Sequence, residues 1–175
     1  RDFIEIVLCS GLVGIKKIIV PLVDNGRIEN KFQLNILLEF LNSLRNTLNQ
    51  LDIKILFESD FEPPKLRHFI NNLDNKAFGV NYDIGNSAAL GFDPNEEFEA
   101  YGERIMNVHV KDRLFRGTTV PLGEGVAELS LVFKLLRDQD YQGNYIMQTA
   151  RAEKEQHFKV LQNYKSQIEG WLKES

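Results

Sequence analysis

Five short apolar runs, each the length of a buried strand and each bounded by helix-period sequence, constrain the fold of this chain more than any other feature. They fall at 16–23, 53–58, 78–83, 105–110 and 144–148. The first is rich in isoleucine and valine and closes on the turn signal Asp24-Asn25-Gly26. After it, leucines at 34, 37, 38, 41, 44 and 48 keep helical spacing and make one apolar face. Pro63-Pro64 opens a helix carrying Leu66, Phe69, Ile70 and Leu73; Asp93-Pro94, a capping residue followed by proline, opens another carrying Phe98 and Tyr101. A polar loop at 111–125 leads into a helix with Leu129, Val132, Phe133 and Leu136. The last helix is expected to turn Phe158, Leu161, Ile168 and Leu172 inward. Residues 1–13 read as the end of an amphipathic helix stopped near Gly11 or Gly14.

Strands that alternate with helices make a parallel sheet with right-handed crossovers, and strands apolar nearly throughout are covered on both faces. The pattern alone allows an open doubly wound sheet or part of a (β/α)8 barrel. Residues at the strand ends separate the two. Glu58, Asp83, His109 and Gln148 stand at the C-terminal ends of four successive strands. A barrel gathers such ends around one axis, where an open sheet spreads them in a line. Carboxylate, imidazole and amide oxygen together suit one divalent cation of the Mn, Mg, Co or Zn type.

Composition narrows the partners. With 175 residues and 43% hydrophobic content, residues 1–175 are expected to form a single domain with its own core. A net charge of -4 gives no basic footprint for nucleic acid, and no apolar run approaches a membrane span. No basic region followed by an apolar stretch opens the chain. The expectation is a cytoplasmic protein handling small molecules. The single cysteine, Cys9, excludes an internal disulfide and is expected to be buried.

Four stretches carry a family resemblance: Phe-Glu-Ser-Asp at 57–60, Asn-Tyr-Asp-Ile-Gly-Asn at 81–86, Val-His-Val-Lys-Asp-Arg at 108–113 and Pro-Leu-Gly-Glu-Gly at 121–125. Together they resemble the sugar phosphate isomerase/epimerase group of the xylose isomerase-like TIM barrels, a superfamily that also includes endonuclease IV. The resemblance implies a partial (β/α)8 barrel, its strands 4–8 with their helices, the N-terminal strands being absent. It implies that Glu58, Asp83, His109 and Gln148 hold the metal, that Glu58 is the catalytic base, and that a sugar or sugar phosphate reacts through an enediolate. A barrel of this kind needs about 250 residues, so the chain reads as a fragment, or as a subunit whose exposed barrel edges are covered by a partner chain or a second copy.

One departure bears on the chemistry. Family members place Glu where this chain has Gln148, and an amide has no titratable proton for base work. A symmetric two-base epimerase is therefore disfavoured. The alternative is a catalytically inactive carbohydrate-binding or scaffold barrel. An endonuclease IV-like nuclease fits less well, because one strand-end histidine and an acidic balance do not supply a multi-metal cluster. Lys111, Arg113, Arg116 and Arg151 are candidates for holding a substrate phosphate or carboxylate, and Asn86 for bonding a hydroxyl. The competing reading of 111–116 is a solvated charged loop in which Asp112 pairs with a neighbour. Gly123-Glu124-Gly125 reads as a tight turn, His68 and His157 as surface residues, and Trp171 as packing against the outer wall.

Overall fold

The computed structural model describes residues 2–173. In chain order it contains α1 (Asp2–Leu12), β1 (Lys17–Leu22), a 3-10 turn at Asp24–Gly26 (a second lies at Gly102–Arg104), α2 (Lys31–Leu51), β2 (Lys54–Ser59), α3 (Pro63–Asn71) and β3 (Phe78–Asp83). Then follow α4 (Ile84–Leu90), α5 (Pro94–Tyr101), β4 (Ile105–Val110), β5 (Asp112–Arg113), β6 (Thr119–Val120), α6 (Leu129–Asp138), β7 (Asn144–Met147) and α7 (His157–Lys173). The five long strands form one sheet in the order β1-β2-β3-β4-β7, and β5 pairs antiparallel with β6. β1 pairs with β2, β2 with β3 and β4 with β7, all parallel, with Ile19 opposite Leu56, Leu56 opposite Gly79, and His109 opposite Ile146. All five expected strands are present.

The chain divides into two compact units. The first runs up to Asn81 and takes in Arg104–Met106; the second comprises Tyr82–Glu103 and the chain from Asn107 onward. In the first unit α2 starts where the Asn30 side chain accepts a hydrogen bond from the Gln33 N–H, and stops at Asp52 in the left-handed region. Its buried face is Leu41, Leu44 and Leu48, the i, i+3, i+7 stripe that the leucine spacing requires. An aromatic cluster fills the space beneath α3: Phe57 meets Phe69 edge-on at 5.0 Å, Phe78 lies stacked 6.3 Å from Phe57, and Phe61 meets Phe69 at 6.1 Å. Arg104 is buried against this cluster. Its guanidinium donates to the carbonyls of Ile70, Leu73 and Phe78 at 2.9, 3.2 and 3.0 Å, tying the end of α3 to the start of β3.

The second unit has a more polar interior. Glu97 on α5 is fully buried and accepts from the hydroxyls of Tyr82 (2.7 Å), Tyr101 (2.5 Å) and Ser87. Burial raises the Glu97 carboxyl above its ordinary value, opposed by its hydrogen bonds to Ser87, Tyr101 and Tyr82. Burial next to that carboxyl raises Tyr82 and Tyr101 as well. Elsewhere in this unit Phe133 stacks between Tyr145 and Trp171, at 5.4 and 5.5 Å, so Trp171 packs on α6.

Several expectations need correction. Phe158 and Leu161 are exposed at 74% and 44%; the inward face of α7 is Tyr164 and Ile168, one turn apart. Apolar identity did not identify that face because the helix carries apolar residues on more than one side. Cys9 is exposed rather than buried, since α1 is apolar nearly all round and buries only Val7 and Ser10. Helix α4 was not anticipated: its seven residues are too few to show a period, and it exists because Asp83 caps it and Gly91, at φ 80°, ends it. The β5–β6 pair, two residues per strand, interrupts what reads as a polar loop. His68 and His157 are exposed, as expected.

Two measurements check this account. Arg104→Met leaves three buried carbonyls without their cationic donor and is expected to lower unfolding free energy by about 3 kcal/mol in urea titrations. For Glu97 the folded carboxyl lies above the unfolded value near 4.5, so its contribution to stability is fully present below that pH and declines as pH rises from there toward the folded value. Chemical denaturation from pH 4 to 8 is accordingly expected to show the stability of the parent, relative to Glu97→Gln, falling as pH rises.

Candidate functional site

The site in the second unit is built outward from Asp83, the last residue of β3. Its Oδ1 accepts from the Asn86 N–H at 2.9 Å, capping α4, which fixes the carboxylate in one orientation. Its Oδ2 is then turned toward Lys111 Nζ at 3.3 Å and His109 Nδ1 at 3.8 Å. The three side chains are 1%, 14% and 11% exposed respectively. His109 is the fifth residue of β4, and Lys111 leaves the same strand on its way to the β5–β6 pair.

Lys111 gathers the rest. Its ammonium also donates to Asn86 Oδ1 and Gln148 Oε1, both at 3.1 Å. Gln148 is placed by its own backbone N–H, which bonds the Val110 carbonyl at 3.0 Å and so carries the β4–β7 pairing one residue past the strand. Gly85 explains how the lysine reaches this position. A Cβ there would lie 2.7 Å from Lys111 Cγ and 3.0 Å from its carbonyl carbon, so any other residue displaces the lysine stem. Arg113 is committed to structure: Nε and Nη2 donate to the Gly117 carbonyl at 3.0 and 2.6 Å, and Nη1 to Asn86 Oδ1 at 2.8 Å.

Asp112 holds the following loop. Fully buried, it accepts from the N–H groups of Arg113, Gly123, Gly125 and Ala127 at 2.9, 2.9, 2.9 and 3.1 Å. Gly123 turns the chain at φ 88°, and a Cβ on Gly125 would strike Asp112 Oδ1, so the Gly-Glu-Gly motif is the imprint of that carboxylate. Glu124 between them is exposed.

Glu58, near the end of β2 in the first unit, is half-buried and accepts from Asn81 Nδ2 at 2.9 Å. Asp83, Asn86, His109, Lys111, Arg113 and Gln148 thus share one network in the second unit. Arg116 stands apart from it, exposed, at φ 51°, with its guanidinium 5.1 Å above the Phe115 ring. Arg151 is exposed and lines a cavity of about 240 Å³ together with Gln148, Thr149 and His157. Gly85 and Asp112 were not singled out as site-building residues from sequence; the signal available for each was a glycine or aspartate at fixed distance from a strand-end ligand.

The model of the family described as "Xylose isomerase-like TIM barrel" matches residues 12–175. The chain belongs to that family. The L-ribulose-5-phosphate 3-epimerase UlaE of Salmonella paratyphi A is 36% identical over 84 residues, 46% of this chain and 28% of the epimerase. Among solved structures, the IolI protein with a bound zinc atom superposes with a TM-score of 0.79 at 17% identity, covering 98% of this chain and 68% of that one. A xylose isomerase-like TIM barrel protein from Mycobacterium smegmatis in complex with magnesium gives 0.71 at 15% identity, covering 95% and 64%. At such identities the likeness shows the fold. The chain spans about two thirds of these solved structures, and its match covers less than a third of the curated epimerase.

Asp112→Ala removes four charge-assisted hydrogen bonds and is expected to cost about 3 kcal/mol. Hydrogen exchange at Gly123, Gly125 and Ala127 should speed up well beyond the change elsewhere in the second unit.

Proposed function

We propose that this protein is a divalent-metal-dependent isomerase or epimerase of a sugar or sugar phosphate, a cytoplasmic enzyme working through an enediolate. The observation that carries the reading is that Asp83 Oδ2 and His109 Nδ1, a carboxylate oxygen and an imidazole nitrogen at the ends of two strands, lie 3.8 Å apart in the second unit. These two atoms, with the Glu58 carboxylate that the resemblance adds, fit Mn, Mg, Co or Zn; capping by Asp83 Oδ1 turns Oδ2 toward His109, where it also meets Lys111 Nζ at 3.3 Å. Zinc in one structure of the same fold and magnesium in another, and the epimerase activity named for a sequence relative, support the same choice. No helix among the described residues is long and apolar enough to cross a membrane.

A divalent ion in this place would polarise the carbonyl of a bound ketose and stabilise the negative charge developing on its oxygen. Glu58 takes the proton from the carbon next to that carbonyl, with Asn81 donating to Oε2 and steadying the carboxylate. Gln148 has no proton to exchange on the other side of the substrate. Glu58 therefore returns the proton from the face it was taken from, which moves it between adjacent carbons and favours isomerisation over inversion at one carbon. Gln148 also motivates the second reading, a sugar-binding barrel without turnover; activity appearing only in Gln148→Glu would favour that one.

The fold reading extends in the same way. The five strands are proposed to be the last five of an eight-stranded barrel. Exposed apolar side chains on α1 and β1 (Ile4, Ile6, Leu12, Ile19), and on β7 and α7 (Ile146, Phe158), are covered by further chain or by a partner.

Metal analysis and a screen of ketoses and their phosphates test the function. His109→Ala is expected to weaken divalent-ion binding by more than about tenfold. Glu58→Gln is expected to lower kcat by about a thousandfold. Unaltered protein that binds neither Zn nor Mn overturns the reading.

A further inference from the structure

Gln148 occupies the position where the resemblance implies a metal-binding carboxylate; its carbonyl oxygen accepts from Lys111 as Asp83 Oδ2 does, but the uncharged amide has no negative charge with which to hold a cation beside that ammonium. An ammonium has only donors, so the amide atom facing Lys111 Nζ at 3.1 Å must be Oε1, whichever way the amide is drawn. The amide nitrogen is thereby directed away from Lys111, and among the described residues it has no hydrogen-bond partner. The clamp is firm at its other end. Lys111 is anchored to Asp83 and Asn86, its stem lies against Gly85, and Arg113 donates to the same Asn86 oxygen.

We infer that Gln148 is not a metal ligand but a neutral substrate-binding donor, its NH2 offered to an acceptor oxygen of the sugar, and that Lys111 is the positioning residue that sets this polarity. This rests on the proposed function for the identity of the ligand as a sugar; the clamp itself does not. A glutamate at 148 would pair with Lys111 as an ion pair and present only acceptors. With glutamine the same lysine turns the side chain into a donor. The exchange therefore changes what this wall of the site recognises, from a hydroxyl hydrogen to a hydroxyl or carbonyl oxygen.

The test uses the full chain labelled with 15N, the Gln148 side-chain amide pair being assigned by its loss in Gln148→Glu. Zinc affinity is measured by calorimetry for the unaltered chain, Gln148→Ala and His109→Ala. Gln148→Ala is expected to bind zinc within about twofold of the parent, whereas His109→Ala loses at least about tenfold. The Gln148 pair should move in Lys111→Met, return toward its place in Lys111→Arg, and move when L-ribulose 5-phosphate is added. Backbone amide dispersion in the same spectra shows that each variant is folded. A loss of about tenfold or more in Gln148→Ala makes Gln148 a ligand and overturns the inference. So does an amide pair that ignores Lys111→Met, or one that ignores bound sugar. Failure of the unaltered chain to bind zinc removes the metal reading of the preceding section instead, because the response to Lys111→Met is read without metal.

Discussion

An ammonium group withdrawn from water requires a carboxylate and oxygen acceptors around it, and Lys111 obtains them from the ends of different strands. Asp83 closes β3, Asn86 lies in the first turn of α4, and Gln148 follows β7, while the lysine itself leaves β4. Meeting that requirement fixes the order of events at this end of the second unit. β3 must end in a residue that caps a helix, the helix must contain a glycine where the lysine stem passes, and β4 and β7 must pair one residue beyond their regular span. The Asp-Ile-Gly-Asn and His-Val-Lys motifs are two halves of this single constraint.

The strands and the ligand-type residues at their ends were legible because burial on both faces leaves a continuous apolar run, and a polar residue terminating it stands out. Asp83 and His109 were found for that reason, and the structure places them together. What was not legible depends on partners that leave no side-chain signature. Asp112 bonds four backbone N–H groups, which any residue could supply, so only the two glycines hinted at it. Arg113 looked available for a substrate anion because its charge was visible and the Gly117 carbonyl that claims it was not. Apolar identity failed for Phe158 and Cys9, which lie on helices apolar over more than one face.

The two units bury polarity in different ways. In the first, a single guanidinium takes over carbonyls that the end of α3 cannot satisfy for itself, beside a cluster of phenylalanines. In the second, a carboxyl is surrounded by hydroxyls and held toward its neutral form by burial. Directional contacts of this kind penalise any repacking that separates the partners, which apolar contacts alone do not.

The anchor at Asp112 has a consequence for how such a protein can change over time. Its partners are main-chain groups, so the carboxylate holds the ends of the segment from Arg113 to Ala127 without reading the side chains between them. Three positions are committed: Gly125 by the nearby Asp112 oxygen, Gly123 by its φ of 88°, and Gly117, where a Cβ would lie 2.8 Å from Leu114 Cβ. The exposed side chains of Leu114, Phe115 and Thr118 can therefore be exchanged while the attachment persists, which makes this loop a cheap place in the second unit to acquire a new specificity.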